Sequence, residues 1–314
     1  MSFTCKQCGS SVHYDIEKQK LKCQNCNALY QLEEYNNDSN LALHSCSSCG
    51  GAIVTEENAL TAATICPYCG SPVMIKSAFE REFKPDAILP FQVTKKQVMD
   101  AYREQYEGKL LIPPDFKSES KVESIQGLYV PFWMHDFQLS GDARLTIPDK
   151  GRRNYHYTAS FIGVPIDGSE KIENALMESI EPFDLFHKEK EFHAGYLSGF
   201  SSDRYDVDEA SGRANVLNRI KSTIKMLFHT NVGCKDAQLN PEMSYDKHKV
   251  KLVLCPVWIV STKYKDGKIY QFVMNGQTGK NAGNFPIDKT MSRIWVSANI
   301  LFWGMITLAL ALFM

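Results

Sequence analysis

Eight of the ten cysteines in this 314-residue chain stand as four Cys-x-x-Cys pairs: Cys5 and Cys8, Cys23 and Cys26, Cys46 and Cys49, Cys66 and Cys69. The first two pairs are 14 residues apart and the last two 16, the spacing of two zinc ribbons in tandem. Two residues between cysteines let one tight turn aim both thiolates at a single tetrahedral ion, and a second turn supplies the other two ligands. Gly9, Gly50 and Gly70 directly follow three of the pairs, and Asn27 holds that place in the fourth. These are residue types that reach positive φ readily, as the turn requires. Four thiolates close the coordination shell, so the predicted chemistry is structural: two zinc ions, with no open position for substrate. A disulfide framework would need an oxidising compartment, and the sequence opens without a signal-peptide pattern. A redox dithiol would not come as two evenly spaced sets. His13 and His44 lie near the thiols, but each set is already complete without them.

These sites imply a division of the chain. Zinc ribbons are expected over residues 1–35 and 36–80, with a polar linker at 30–44 between them. Each ribbon has too few apolar residues to fold alone, and metal binding would supply on the order of 10 kcal/mol or more per site. Residues 1–80 hold five lysines, no arginine and eight acidic residues. A nucleic-acid grip needs a basic face that displaces counterions, so this balance points to protein partners, with a nucleic-acid-binding regulator as the alternative.

Residues 81–290 read as one mixed α+β domain with antiparallel strands, for which a 44% hydrophobic composition supplies enough core. A helix is predicted from Thr94 to Glu107. Thr94 and Gln97 form a capping box, Val98, Ala101, Tyr102 and Tyr106 share a face, and Gly108 ends it. A short helix is expected over Ser169–Ile180, and a long one over Asp208–Phe228 with Gly212 as a local weakness. Strands are expected at Leu128–Trp133, Gln138–Ile147, Tyr155–Val164, Lys249–Tyr264 and Lys268–Met274, the last two joined by a type I′ turn at Asp266-Gly267. Val130-Pro131-Phe132-Trp133 is echoed by Cys255-Pro256-Val257-Trp258. That suggests either a duplicated unit or two edge strands that happen to begin with proline.

Catalytic signals in this domain are thin, and no enzyme is predicted. Gly276-Gln277-Thr278-Gly279-Lys280 lacks the flanking residues of a phosphate loop and reads as a turn. His135 and Asp136 are neighbours on a strand and so point to opposite faces. His187 and His193 sit in a charged connector, and Cys234 and Cys255 read as buried small hydrophobes. An enzyme site around Trp133, His135 and Trp258 is the remaining catalytic alternative.

Residues 294–314 carry no charge and are long enough as a helix to span about 30 Å, which predicts a single C-terminal transmembrane anchor over 291–314. Lys280, Lys289 and Arg293 precede the run and nothing basic follows, which would place the N-terminal domains in the cytoplasm of a single-pass cell-membrane protein.

With the ribbons, the runs YVPFW, VPIDGS, SIEPFD, YLSGF, YDVD, PVW, TKY and MNGQTGK and the terminal segment, the chain resembles the bacterial TFIIB-type zinc ribbon membrane proteins. The resemblance implies a membrane platform that recruits protein partners, among them phage-shock protein A-type membrane-stress proteins, and it brings no catalytic residue with it. Some relatives are labelled replication-restart helicases, an activity this sequence argues against because it has no nucleotide-binding loop.

Overall fold

The computed structural model describes residues 3–35, 41–46, 52–56, 63–66, 68, 72–74, 85–117, 125–169, 171–185, 188–203, 205, 207–240 and 244–313. The first ribbon is a small antiparallel sheet of β1 (Val12–Asp15), β2 (Lys20–Cys23) and β3 (Leu29–Tyr30). Next come the hairpin of β4 (Leu41–Ser45) and β5 (Ala52–Glu56) and the two-stranded β6 (Ala63–Ile65) and β7 (Pro72–Met74). Residues 41–44, expected as linker, therefore lie in strand β4.

The α+β domain continues with β8 (Ala87–Ile88), α1 (Lys95–Tyr106), β9 (Gln126–Ile147), β10 (Gly151–Asp167) and α2 (Asn174–Ser179). It is completed by β11 (Lys190–Glu191), β12 (Ser201–Ser202), α3 (Glu209–Val232), β13 (Asp236–Leu239), β14 (Ser244–Lys263), β15 (Ile269–Asn275) and β16 (Asn281–Gly283). All of these strands and the β4–β5 hairpin belong to one 11-stranded sheet, whose spine is the antiparallel pair β9 and β14.

The capping box is present as read: the Gln97 backbone N–H donates to Thr94 Oγ1 at 3.4 Å, and Thr94 N–H donates to Gln97 Oε1 at 2.8 Å. α1 buries Val98, Tyr102 and Tyr106 against the sheet. α3 buries Val216, Ile220 and Ile224, while Ala210, Ala214 and Leu227, expected on its inner face, are exposed. Gly212 is a close approach to the sheet, since a Cβ there would meet the Ile166 side chain at 2.7 Å. Between β14 and β15, Tyr264 N–H donates to Lys268 O, and Gly267 N–H to Tyr264 O. Only Gly267 of the Asp-Gly pair has positive φ, +80°. The hairpin is therefore a type I turn followed by a left-handed glycine, and not the two-residue I′ turn.

The echoed segments face one another across the spine, with Pro131 opposite Leu254 and Pro256 opposite Tyr129. Both prolines lie inside central strands, which excludes the edge-strand reading. Around them the same hydrogen bonds occur twice. Gly168 N–H donates to Pro131 O at 2.9 Å and Gly276 N–H to Pro256 O at 2.7 Å. Asp203 N–H donates to Tyr129 O at 2.8 Å and Leu89 N–H to Leu254 O at 2.9 Å. Val207 N–H reaches Gly168 O, as Val93 N–H reaches Gly276 O.

One half is β8, α1, β9 and β10; the other is β12, α3, β14 and β15. Each half gives its short strand to the other's spine: β8 runs parallel to β14 at Val253 and Leu254, and β12 runs parallel to β9 at Leu128 and Tyr129. Neither half's spine strand is fully paired without the opposite half, so the duplicated units close into one shared sheet.

The last helix, α4 (Lys289–Phe313), marks where sequence expectation and structure part. Among the described residues no helix is long and apolar enough to cross a membrane. Lys289, Thr290, Ser292 and Arg293 fill the opening turns of α4, and Ser297 and Asn299 follow, so polar groups dilute what reads as an apolar run. The expected transmembrane anchor does not hold, nor does the single-pass cell-membrane placement with cytoplasmic N-terminal domains that was built on it.

Candidate metal centre

Cys5 and Cys8 bracket the turn before β1, and Cys23 ends β2 with Cys26 in the turn that follows. Gly9 has φ +74° and Asn27 +59°, the conformations their positions after the pairs demand. The turns close through Gly9 N–H to Cys5 O at 2.9 Å and Cys23 N–H to Ala28 O at 2.9 Å. The result brings Cys5, Cys8, Cys23 and Cys26 together, with all four sulfurs within 4.8 Å of one another.

Cys5 Sγ is 3.5 Å from Cys26 Sγ, and Cys8 Sγ is 3.5 Å from Cys23 Sγ. A tetrahedral ion about 2.3 Å from each sulfur needs separations of about 3.8 Å, so the four thiols fit a metal ion after an adjustment of a few tenths of an ångström.

The surroundings favour thiolates at Cys5 and Cys8. Cys23 Sγ accepts from the backbone N–H of Asn25 at 3.4 Å and of Cys26 at 3.5 Å. Tyr30 Oη lies 3.1 Å from Cys5 Sγ; this hydrogen bond lowers the Cys5 thiol pKa and raises the phenol to about 12, as expected of a phenol that donates to sulfur. A backbone hydrogen bond at Ser10 brings Cys8 down to about 6. Cys26 is pushed up to about 12, because desolvation and the neighbouring thiols outweigh its hydrogen bond at Ala28. Four thiols crowded this closely cannot all ionise at ordinary pH without a cation among them.

Cys5 and Cys23 are buried and Cys8 and Cys26 exposed, so the centre sits at the ribbon surface. The opposite side of the ribbon docks on residues 192–200. Ser198 Oγ–H donates to Val12 O at 2.5 Å, Tyr14 N–H donates to Ser198 O at 2.9 Å, and the Tyr14 and Tyr196 rings meet edge to face at 5.1 Å. His193, expected in a solvated connector, takes part: its Nδ1 accepts from Gly195 N–H and its Nε2 lies 3.2 Å from Tyr35 O.

Of the second predicted set, Cys46 and Cys66 are both buried in the core cluster with Leu128, Val130 and Val253. Cys49 and Cys69 lie outside the described residues, as do Gly50, Gly70 and His187.

Similarity to known proteins adds no activity. The chain is 28% identical over 324 residues to the uncharacterized protein YdjG of Bacillus subtilis (strain 168), an alignment that covers 95% of this chain and 93% of that one. No family model matches the sequence, and no solved structure matches it.

The other residues singled out in the sequence resolve as follows. His13 packs against Gly199 and is not part of the thiol cluster. Residues 276–280 form a turn, in which Asn275 Oδ1 accepts from Gln277 and Thr278 N–H and Gly279 takes φ +80°. Cys234 and Cys255 are buried, as expected. Asp136 Oδ1 accepts from Gly163 N–H at 2.8 Å, whereas His135 turns inward, away from it, and is fully buried.

Proposed function

We propose that the chain is a non-enzymatic zinc-ribbon scaffold that binds other proteins. The ion at Cys5, Cys8, Cys23 and Cys26 is structural zinc, and a second zinc belongs to Cys46, Cys49, Cys66 and Cys69. The observation that carries this reading is the closed set of four sulfurs within 4.8 Å, which satisfies an ion completely and leaves it no reacting position. Thiolate sets suit zinc or iron among the common metals, and zinc requires no redox partner. The acidic balance of residues 1–80 favours protein over nucleic acid as the partner. Membrane-stress proteins of the phage-shock protein A type are the partner class that the family resemblance supports.

Metal analysis of the full chain tests the zinc assignment. Zinc is expected, with one ion fewer in Cys8→Ser/Cys26→Ser. Co-purification from cells tests the scaffold: proteins recovered with the intact chain should be lost with that variant. An unchanged set of partners would remove the ribbons as docking modules.

A further inference from the structure

A second group of metal-ligand types lies outside the ribbons, assembled from three elements. His135 comes from the middle of β9, His248 from β14, and Glu209 from the first turn of α3, and their ligand atoms lie within 4.8 Å of one another. His135 Nδ1 and His248 Nε2 are 3.0 Å apart, with the two rings stacked at 11°. Phe137 lies alongside both, 4.4 Å from the His248 ring and 5.8 Å from the His135 ring, within 16° of parallel to each. Phe137 is held in turn under α3 with Val216, Ile220 and Ile224. The imidazoles are thus fixed in orientation by packing, as a preorganised site requires.

Two atoms of this cluster stand out. His135 Nε2 and Glu209 Oε1 are buried, and among the described residues neither has a hydrogen-bond partner. A buried polar atom left without a partner is costly, the more so when charged, so two in one cluster call for a ligand. The duplication shows that the fold does not require them. At the places that the duplication makes equivalent to His135 and Glu209, the chain carries Val260 of β14 and Lys95 of α1, and Val260 packs as an ordinary core residue. The junction of the two halves on this side carries nitrogen and oxygen donors at places where the equivalent junction has a valine and a lysine.

We infer that His135, His248 and Glu209 form a binding site for a divalent first-row transition-metal ion. Two imidazoles and one carboxylate are donors suited to zinc or ferrous iron, and three protein ligands leave a position for water, unlike the four-sulfur centre. The bulge between Phe161 and Val164 of β10 lies beside His135, where irregular pairing re-aims the strand. The inference stands apart from the ribbon reading, since it shares no ligand with it.

Zinc counting by dialysis and elemental analysis, on the full chain, tests it. Glu209→Gln/His248→Asn should hold one zinc ion fewer than the unsubstituted chain, and Glu209→Gln alone should weaken that ion by roughly 100-fold or more. In a Cys5→Ser/Cys8→Ser background the same difference of one ion should persist, which separates this site from the ribbon. Cobalt loading there should add ligand-field absorption with no sulfur charge-transfer band from this site. His135→Val, which copies Val260, should also lose the ion. If that variant fails to fold, the count on the half-exposed Glu209 and His248 still decides. Equal zinc in the unsubstituted chain and in a folded Glu209→Gln/His248→Asn variant would overturn the assignment and leave only a hydrogen-bonded histidine pair.

Discussion

Trp133 and Trp258 make the same hydrogen bond in the two halves of the domain: each indole Nε1–H donates at 2.9 Å to a backbone carbonyl, Val207 for the first and Val93 for the second. The tryptophans are 125 positions apart and the valines 114, so the pairing survives an 11-residue difference in the intervening chain. In each case the accepting valine lies just ahead of a helix, α3 or α1, and the bond pins the start of that helix over the spine strand. The contact is thus part of what makes the two halves alike in three dimensions.

The two tryptophans should nevertheless differ in their importance to stability. Trp258 is 4% exposed and meets Phe91 edge to face at 5.1 Å, whereas Trp133 is half-buried beside Tyr205. Trp258→Phe removes the donor, strands the Val93 carbonyl and leaves a void, for a cost of about 2–4 kcal/mol. Trp133→Phe should cost about 1 kcal/mol, because water reaches its site. Urea denaturation with an unchanged slope checks both; equal midpoints would show that the two sites are equally dry.

Thr94→Ala should cost about 1 kcal/mol, the usual worth of a side chain that caps a helix. Gln97→Ala should cost less, since it leaves the Thr94 hydroxyl on the helix end in place. Thermal melts of the two variants and the double variant check this. Because each residue completes the other's hydrogen bond, the double variant should lose less than the singles added together.

The capping box and the thiol spacing were legible because each is local: four to twenty-odd residues fix the geometry without help from the rest of the chain. β9 was harder. It reads as two strands broken near His135 and Asp136, since polar residues end an apolar run, yet it is one strand of 22 residues. Its first part is buried on both faces, between the cluster of Val130 and Phe132 and the cluster of Tyr129, which accounts for the unbroken apolar run there. His135, Glu209 and His248 carry no spacing signal because they are brought together by strand pairing and helix packing across more than 100 positions. The echo of VPFW in CPVW was the one clue, since it invites comparison of the halves and so exposes His135 against Val260. The terminal run misleads for the opposite reason: residues 294–314 carry no charge, while the helix begins at Lys289 and places most of its polar residues in its first half.

Removal of metal should unfold the ribbon and spare the domain beneath it. The ribbon's cluster is small, with Phe3, Val12, Tyr14 and Leu21 at its heart, while the domain has large clusters of its own. A strong chelator, or Cys8→Ser, should therefore open the amides of β1 and β2 to hydrogen exchange and leave β9 and β14 protected. Loss of protection throughout the sheet would mean instead that the ribbon is integral to the core.

Gly199→Ala should separate docking from metal binding. Gly199 sits at φ +89°, where a side chain is strained, and a Cβ there would meet His13 Cβ at 3.1 Å. It directly follows Ser198, whose hydroxyl and carbonyl hold Val12 and Tyr14 of β1. The substitution forces either the loop or the ribbon to move, at a cost of about 1 kcal/mol from the backbone alone and more from the contact. The hydrogen bonds of the four sulfurs all lie within residues 5–30, so zinc content should stay unchanged while the ribbon loosens on its seat. Hydrogen exchange should report it as faster exchange at Tyr14 and at residues 196–200, with the knuckle amides of Gly9 and Cys26 still slow. Were zinc lost as well, the centre would depend on the domain for its shape, and the ribbon could not be treated as a module that carries its own fold.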